Sequence, residues 1–236
     1  MSTTESDPIT DVEADVAAST DADVAASIDA DIEDARSGRW QSARGRFKIF
    51  RAPPVKRRRP LPDDYDASKI VDGFDYRHML DDEDEEDVRD AIGEMARVLN
   101  AGITETLLFA QGGEDGMSLA HVWFGANLPL FRHSHPRFGD CLYYVLKGEA
   151  HLGSQVLGPG DGFFVPNGMP YKYTAGPDGV EVLEYRAGGG TEGAPGMVMN
   201  EPSVDAIRRL TETANVHKDA WVDASPERIG ESGPAT

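Results

Sequence analysis

The central part of the chain alternates short apolar runs with turns rich in glycine and proline. The apolar runs cover residues 104–109, 118–124, 142–146, 163–165, 171–174 and 180–185. Turn sequences such as GGEDG, GPGDG and AGPDG lie between them. Many short strands joined by such turns are typical of an antiparallel barrel or sandwich. The pattern therefore predicts an all-β domain over residues 101–190.

Two segments outside these runs are predicted to be helical. Behind the acidic run 81–87, apolar residues recur at helical spacing at Val88, Ile92, Met95, Val98 and Leu99. Acidic residues at that end stabilise the N-terminus of a helix dipole. A second helix is predicted over residues 203–213, followed by a polar end. Both helices are expected at the periphery of the β domain.

The N-terminal region lacks a comparable core pattern. Residues 1–36 are rich in Ala, Asp, Ser and Thr, contain no aromatic residue and repeat an imperfect octad. Such a segment buries too little apolar surface to offset its ordering entropy, so a disordered acidic tail is predicted. The predicted organisation is the tail (1–36), a charged arm with a helix (37–100), the β domain (101–190) and a C-terminal helix with a polar tail (191–236).

Between residues 36 and 60 the charged arm is positive, whereas the segments on either side of it are acidic. Nine basic residues occur from Arg39 to Arg59 without an acidic residue, and three aromatic residues are interleaved. Basic and aromatic side chains together suit nucleic acid. The formal net charge of −19, however, argues against general nucleic-acid binding. We favour the alternative, a linker that associates with the acidic segments on either side of it.

Cysteine content and hydropathy favour the cytoplasm as the compartment of this protein. The lone Cys141 excludes an intrachain disulfide and fits a reducing environment. No apolar run approaches the length of a membrane-spanning helix. The first residues also lack the basic and apolar regions of a signal peptide. A soluble, cytoplasmic protein without membrane contact is expected.

The most informative pattern is a pair of histidines in front of the strand-like run CLYYVL. His133 and His135 are two residues apart. Residues at this spacing on an extended strand project from the same face, so both imidazoles can reach one point. This spacing suits two ligands of one metal ion.

The stretch 125–148, GANLPLFRHSHPRFGDCLYYVLKG, and the stretch 157–168, LGPGDGFFVPNG, resemble the two conserved motifs of the cupin superfamily. The resemblance implies a cupin-type antiparallel β-barrel, or jelly roll, with peripheral helices. It also implies a mononuclear metal ion held by His133 and His135. The chain departs from the motifs at three positions: Cys141 replaces a glutamate, Tyr171 replaces a histidine and Ala175 replaces an asparagine.

These departures leave the rest of the ligand set open. Cys141 is a candidate third ligand as a thiolate, which would favour zinc. A buried, apolar role for Cys141 is the alternative that we favour. Asp140 could supply a carboxylate if the backbone bulged. The cofactor implied is a divalent metal ion, with iron first and zinc or manganese as alternatives.

Aromatic residues near the pair predict a pocket for a small organic ligand. Tyr171 is the candidate catalytic residue, which would orient a substrate or shuttle a proton. The remaining candidate pocket residues share faces of neighbouring strands and are His121, Trp123, Tyr143 and Tyr173.

Two functions follow from these residues. The first is a metal-dependent enzyme, dioxygenase-like or isomerase-like, that acts on a small organic molecule. The second is a non-catalytic cupin module that binds a small molecule without metal. The resemblance also implies a homodimer.

Overall fold

The computed structural model describes residues 39–41, 48–55, 58–62, 64–111, 116–188 and 190–229. The tail predicted to be disordered, 1–36, lies outside these residues. The chain divides into two compact units, residues 1–51 and 52–236. In the first unit, β1 (Arg39–Gln41) pairs antiparallel with β2 (Lys48–Phe50).

Antiparallel strands dominate the second unit. They are β3 (Ile103–Gln111), β4 (Met117–Phe124), β5 (His133–Ser134), β6 (Cys141–Leu152), β7 (Gln155–Leu157), β8 (Gly162–Val165), β9 (Thr174–Ala187) and β10 (Val198–Met199). The main sheet has the order β3-β4-β9-β6, and β6 also pairs with β7 and β8. Every strand pairing is antiparallel.

A second layer closes the barrel opposite the main sheet. It pairs β5 with β10, and His133 also bridges Tyr171. The start of β9 belongs to both layers, because Thr174 bridges Pro129 while Ala175 pairs with Ala150 of β6. This shared strand confirms the antiparallel barrel predicted from the alternation of apolar runs and turns.

The sequence AGPDG is a bulge and not a turn between two strands. β9 runs without interruption through it, whereas strands 171–174 and 180–185 were predicted separately. The pairing of β9 with β6 shifts here, from Gly148 opposite Val180 to Ala150 opposite Ala175. Glycine and proline are tolerated in a strand at such a bulge.

The two predicted helices are present beside the barrel. The structure contains α1 (Ser68–Val71), α2 (Glu85–Leu99) and α3 (Val204–Asn215). α2 packs against α1 and α3. The side chain of Asp84 caps α2 by accepting hydrogen bonds from the backbone of Glu86 and Asp87. Among the described residues no helix has both the length and the apolar character needed to span a membrane.

A buried tryptophan ties the C-terminal segment to the barrel. Trp221 is fully buried, and its indole nitrogen donates to the carbonyl of Ala126 at 2.9 Å. A Cβ at Gly125 would lie 2.2 Å from the indole ring, and a Cβ at Gly102 would lie 2.5 Å from it. Both glycines are therefore required by the close approach of the ring.

We predict that Gly125→Ala lowers the free energy of unfolding by about 1–3 kcal/mol, because a rigid buried ring has to shift. Gly158→Ala is the matched control, since a Cβ there meets nothing within 4 Å. Urea denaturation of both variants measures the difference. Equal stability of the two variants would contradict this packing.

Candidate functional site: a polar cavity inside the barrel

The barrel contains a cavity of about 110 Å³ that is partly open to solvent. Its apolar lining includes Val122, Phe124, Leu130, Phe131 and Met197. Its polar lining comprises Glu105, His133, His135, Tyr143, Tyr171, Tyr173, Glu184 and Arg186. Five of the candidate residues line it (His133, His135, Tyr143, Tyr171 and Tyr173), whereas Cys141, His121 and Trp123 do not.

Backbone carbonyls fix the orientation of the two histidines. His133 Nδ1 lies 2.9 Å from the carbonyl oxygen of Phe131, and His135 Nδ1 lies 3.2 Å from that of Gly196. A carbonyl oxygen can only accept, so each Nδ1 carries the hydrogen and each Nε2 carries a lone pair. The rings are 4.8 Å apart and nearly perpendicular.

Both imidazoles are neutral at physiological pH. Burial lowers the pKa of His133 from 6.5 to about 3 and that of His135 to about 4. The neighbouring ring of His135 lowers the pKa of His133 further, and the positive charge of Arg186 lowers that of His135 further. The pair therefore offers two hydrogen-bond acceptors and no charge.

Glu184 is the centre of a buried hydrogen-bond network. Its Oε1 accepts from Arg186 Nε at 2.8 Å, from Arg186 Nη2 at 2.5 Å and from the Tyr143 hydroxyl at 2.8 Å. The Cys141 thiol donates to the same oxygen at 3.5 Å. A carboxylate and a guanidinium thus neutralise each other beside the histidine pair.

Sequence analysis missed Glu184 and Arg186. Both lie on the same face of β9 as Val182, the face that points into the barrel. Val182 pairs there with Val145 and Val122. Two charged residues at inward positions of an otherwise apolar strand were the available signal. Such residues are rarely buried unless they are paired.

The three cavity tyrosines are neutral phenols. Burial, with the nearby carboxylate of Glu184, raises the pKa of Tyr143 and Tyr171, and burial also raises that of Tyr173. Tyr143 uses its hydrogen on Glu184, so the hydroxyl of Tyr171 donates to Tyr143. The hydroxyl of Tyr173 is buried and has no hydrogen-bond partner within the described part of the chain.

Cys141 is a buried thiol. Burial and the charge of Glu184 raise its pKa to about 12. It therefore stays protonated at neutral pH, whereas a metal ligand has to be a thiolate. Asp140 is exposed, and its Oδ1 accepts from the backbone of Asn167 at 2.8 Å.

The donor set does not fit a mononuclear metal centre with three or four protein ligands. The described residues include no group of three or more His, Cys, Asp or Glu that could hold a metal ion. Glu184, the carboxylate of the cavity network, is bound to Arg186.

Two residues predicted for the pocket lie on the other face of β4. Val122 and Phe124 line the cavity, and alternation along the strand places His121 and Trp123 on the opposite face. There His121 Nε2 lies 2.9 Å from Glu181 Oε2, and both side chains are fully buried. Tyr143 and Tyr173, the other two predicted pocket residues, line the cavity.

We predict that stability falls in acid because the folded state excludes protons from the histidine pair. Both pKa values are depressed, so the unfolded chain binds protons below about pH 6.5 that the folded chain does not bind until about pH 4 or below. The free energy of unfolding should fall over this range by about 1.4 kcal/mol per pH unit for each ring.

Denaturation at several pH values compares wild type with His133→Phe/His135→Phe. In the double variant, the free energy of unfolding should fall less steeply with decreasing pH below about pH 6.5. Above about pH 6.5, its plot against pH should run parallel to that of wild type. His78→Phe, at an exposed position, is the control and should keep the full slope. An unchanged slope in the double variant would contradict the assignment.

Comparison with known proteins gives structural neighbours only. No family model and no curated protein matches the chain. An RmlC-like cupin from Shewanella frigidimarina NCIMB 400 is 23% identical over 37% of this chain and 77% of its own, with a TM-score of 0.32. KdgF from Halomonas sp. is 23% identical over 37% and 81%, with a TM-score of 0.32. The polyketide cyclase RemF from Streptomyces resistomycificus is 20% identical over 50% and 84%, with a TM-score of 0.37.

The architecture itself identifies the fold. Antiparallel strands form two layers, β9 passes from one layer to the other, and the HxH pair faces the cavity. Between β3 and β10 this chain has the cupin-type antiparallel β-barrel fold.

Proposed function

We propose that the barrel binds a small, uncharged organic molecule in its cavity without the help of a metal ion. The observation that carries this proposal is the internally paired Glu184–Arg186 beside two neutral imidazoles. Glu184 and Arg186 form one balanced pair of charges in the lining, and the further carboxylate there, that of Glu105, is exposed. A further unpaired charge would have to be desolvated at a cost of several kcal/mol.

The hydrogen-bonding groups of the cavity define the polarity of the ligand. Nε2 of His133 and Nε2 of His135 are acceptors, so the ligand presents O–H or N–H groups to them. The buried hydroxyl of Tyr173 is available as a further partner. A hydroxyl-bearing molecule satisfies both kinds of group.

The apolar lining and the volume limit the size of the ligand. Phe131, Leu130 and Val122 suit a short hydrocarbon or aromatic part. The cavity volume of about 110 Å³ is below the range of roughly 300–1,000 Å³ for drug-sized ligands. A single ring with one polar substituent is the appropriate scale.

Tyr171 orients the ligand in this proposal. Because its pKa is raised, it remains a neutral phenol; its one hydrogen is donated to Tyr143, so its oxygen accepts a hydrogen bond from the ligand. Its ring centroid lies 4.5 Å from that of His133. Substitution of Tyr171 would therefore disturb both the imidazole and the Tyr143–Glu184 network.

The metal-dependent enzyme, dioxygenase-like or isomerase-like, is the second candidate. It is favoured by the Nδ1–carbonyl hydrogen bonds of His133 and His135, because metal-binding histidines are commonly oriented in this way. Those bonds leave both Nε2 atoms directed away from the carbonyls. In the small-molecule-binding proposal, the same Nε2 atoms accept hydrogen bonds from a hydroxyl group of the ligand.

We predict that phenol binds more tightly than toluene, by about five- to tenfold, since the two share a shape but only phenol donates a hydrogen bond. Benzoate should bind more weakly than both because it is charged. In His133→Phe/His135→Phe the advantage of phenol should disappear, and in His78→Phe it should remain. Ligand-observed NMR titration of the full chain measures all three affinities.

Metal analysis separates the two candidates. Phenol affinity should be unchanged by chelation, and elemental mass spectrometry should find well below one equivalent of metal. One equivalent of iron, zinc or manganese that is lost in the double variant would support the enzyme instead. If none of the three probes bound in the cavity, the small-molecule proposal would be wrong.

A further inference from the structure

A second cleft, with a volume of about 590 Å³, lies between α2, the end of α3 and residues 60–61. We call it the helical cleft and define it by six of its residues: Leu61, Asp90, Glu94, Arg97, Val98 and Lys218. None of the described residues that line it also lines the barrel cavity. Its volume falls within the range of roughly 300–1,000 Å³ that is common for small-molecule sites.

α2 and α3 run parallel, which brings their C-terminal ends together at the helical cleft. Two hydrogen bonds join them with the same sequence offset of 121 positions: Val204 N to Glu83 Oε1 at 3.2 Å, and Arg208 Nη2 to Asp87 Oδ1 at 3.3 Å. The same offset places Glu94 beside Asn215 and Arg97 beside Lys218, and all four residues line the cleft.

Hydrogen bonds to α2 and to the residue that follows it hold the third wall of the cleft. Asn100 Nδ2 donates to the carbonyl of Arg59 at 2.6 Å, and Arg97 Nη2 donates to the carbonyl of Tyr65 at 3.4 Å. These two bonds lie on either side of residues 60–61 in the chain. Leu61 and Val98 are half-buried and supply an apolar part of the lining.

Two carboxylates and two cations line the helical cleft without pairing with one another. They are Asp90, Glu94, Arg97 and Lys218. Within the described part of the chain, none of these four side chains forms an ion pair. The barrel interior differs, because its carboxylate and guanidinium neutralise each other. The charges of the helical cleft therefore remain available to a ligand that carries both signs.

The guanidinium of Arg97 offers a donor that the fold leaves unused. Its Nε is buried and has no hydrogen-bond partner among the described residues. A buried donor without a partner costs roughly 1–3 kcal/mol. A carboxylate suits this donor, because its two oxygens can accept from Nε and Nη of one guanidinium. Lys218 adds a second positive charge to the same cleft.

The spacing of the charges along α2 sets the length of the ligand. Asp90 and Arg97 are seven residues apart on α2, or about 10 Å along the axis at 1.5 Å per residue. An extended peptide spans about 3.3–3.6 Å per residue, so two residues span about 7 Å and three about 10 Å. A single amino acid is too short to reach both ends.

We propose that the helical cleft binds a short peptide of two or three residues with free termini. The ammonium group of the peptide pairs with the carboxylates of Asp90 and Glu94. Its C-terminal carboxylate accepts hydrogen bonds from Arg97 and Lys218. An apolar side chain of the peptide packs on the half-buried part of the lining.

NMR titration of the full chain with the dipeptide Ala-Leu tests the proposal. The methyl signals of Leu61 and Val98 should shift, whereas those of Val122 in the barrel cavity should not, and phenol should not compete. N-acetyl-Ala-Leu and Ala-Leu amide each lack one terminal charge and should bind about five- to tenfold more weakly. Free leucine should also bind more weakly than Ala-Leu.

Two variants assign the two ends of the peptide. Lys218→Met should weaken Ala-Leu binding by about fivefold and leave the affinity for Ala-Leu amide unchanged. Glu94→Gln should weaken Ala-Leu binding and leave the affinity for N-acetyl-Ala-Leu unchanged. Lys69→Met and Glu86→Gln remove exposed charges outside the cleft and should bind Ala-Leu as wild type does.

Circular dichroism reports whether each variant is folded, and Lys218→Gln replaces Lys218→Met if the latter is unfolded. The proposal would be overturned if Ala-Leu caused no shift up to about 10 mM. Shifts at Val122 in place of Leu61 and Val98, or folded variants that keep full affinity for Ala-Leu, would also overturn it. Because phenol binding in the barrel is measured separately, failure of the peptide site leaves the proposed function untouched.

Discussion

The ion pair between Glu184 and Arg186 sets the chemistry of the barrel interior. One carboxylate oxygen of Glu184 accepts hydrogen bonds from the guanidinium, from the hydroxyl of Tyr143 and from the thiol of Cys141. The guanidinium also lies 4.9 Å from the ring centroid of Phe138, an arrangement that stabilises a cation. A buried charge without a partner costs several kcal/mol, so each charge of the pair requires the other. Burial keeps the imidazoles, the phenols and the thiol neutral, and the charge of Glu184 raises the pKa of Tyr143, Tyr171 and Cys141 further.

The same strands present different chemistry on their two faces. Tyr143 faces the cavity between the outward Leu142 and Tyr144, and Glu184 faces it between the outward Leu183 and Tyr185. This follows from the two-residue period of a strand. The inner face binds a small ligand in our account.

The fold was predictable from local patterns, whereas the centre of the site was not. Alternating runs gave the strands, and the acidic run at Asp84 gave the start of α2. The AGPDG bulge was predicted as a turn because glycine and proline are common both in turns and in bulges. The local signal of Glu184 and Arg186, two charged residues on one face of β9, was missed, and the contact of Glu184 with Tyr143, 41 residues away, has no local signal.

The inward face of β4 could not be read from its sequence. Both phases of that strand are apolar or buried, since Val122 and Phe124 face the cavity while Trp123 is buried on the other side. Alternation identifies the core face only where the other face is polar. The HxH pair was found because its spacing and its motif are local.

Nitrogen-15 NMR of the histidine side chains tests the central claim most directly. At pH 6, before and after treatment with a chelator, His133 and His135 should both appear as neutral rings with the hydrogen on Nδ1 and a free Nε2. His78, which is exposed, serves as the reference signal. Imidazolium signals from the pair at pH 6, or Nε2 shifts that change on chelation, would contradict a neutral cavity that works without metal.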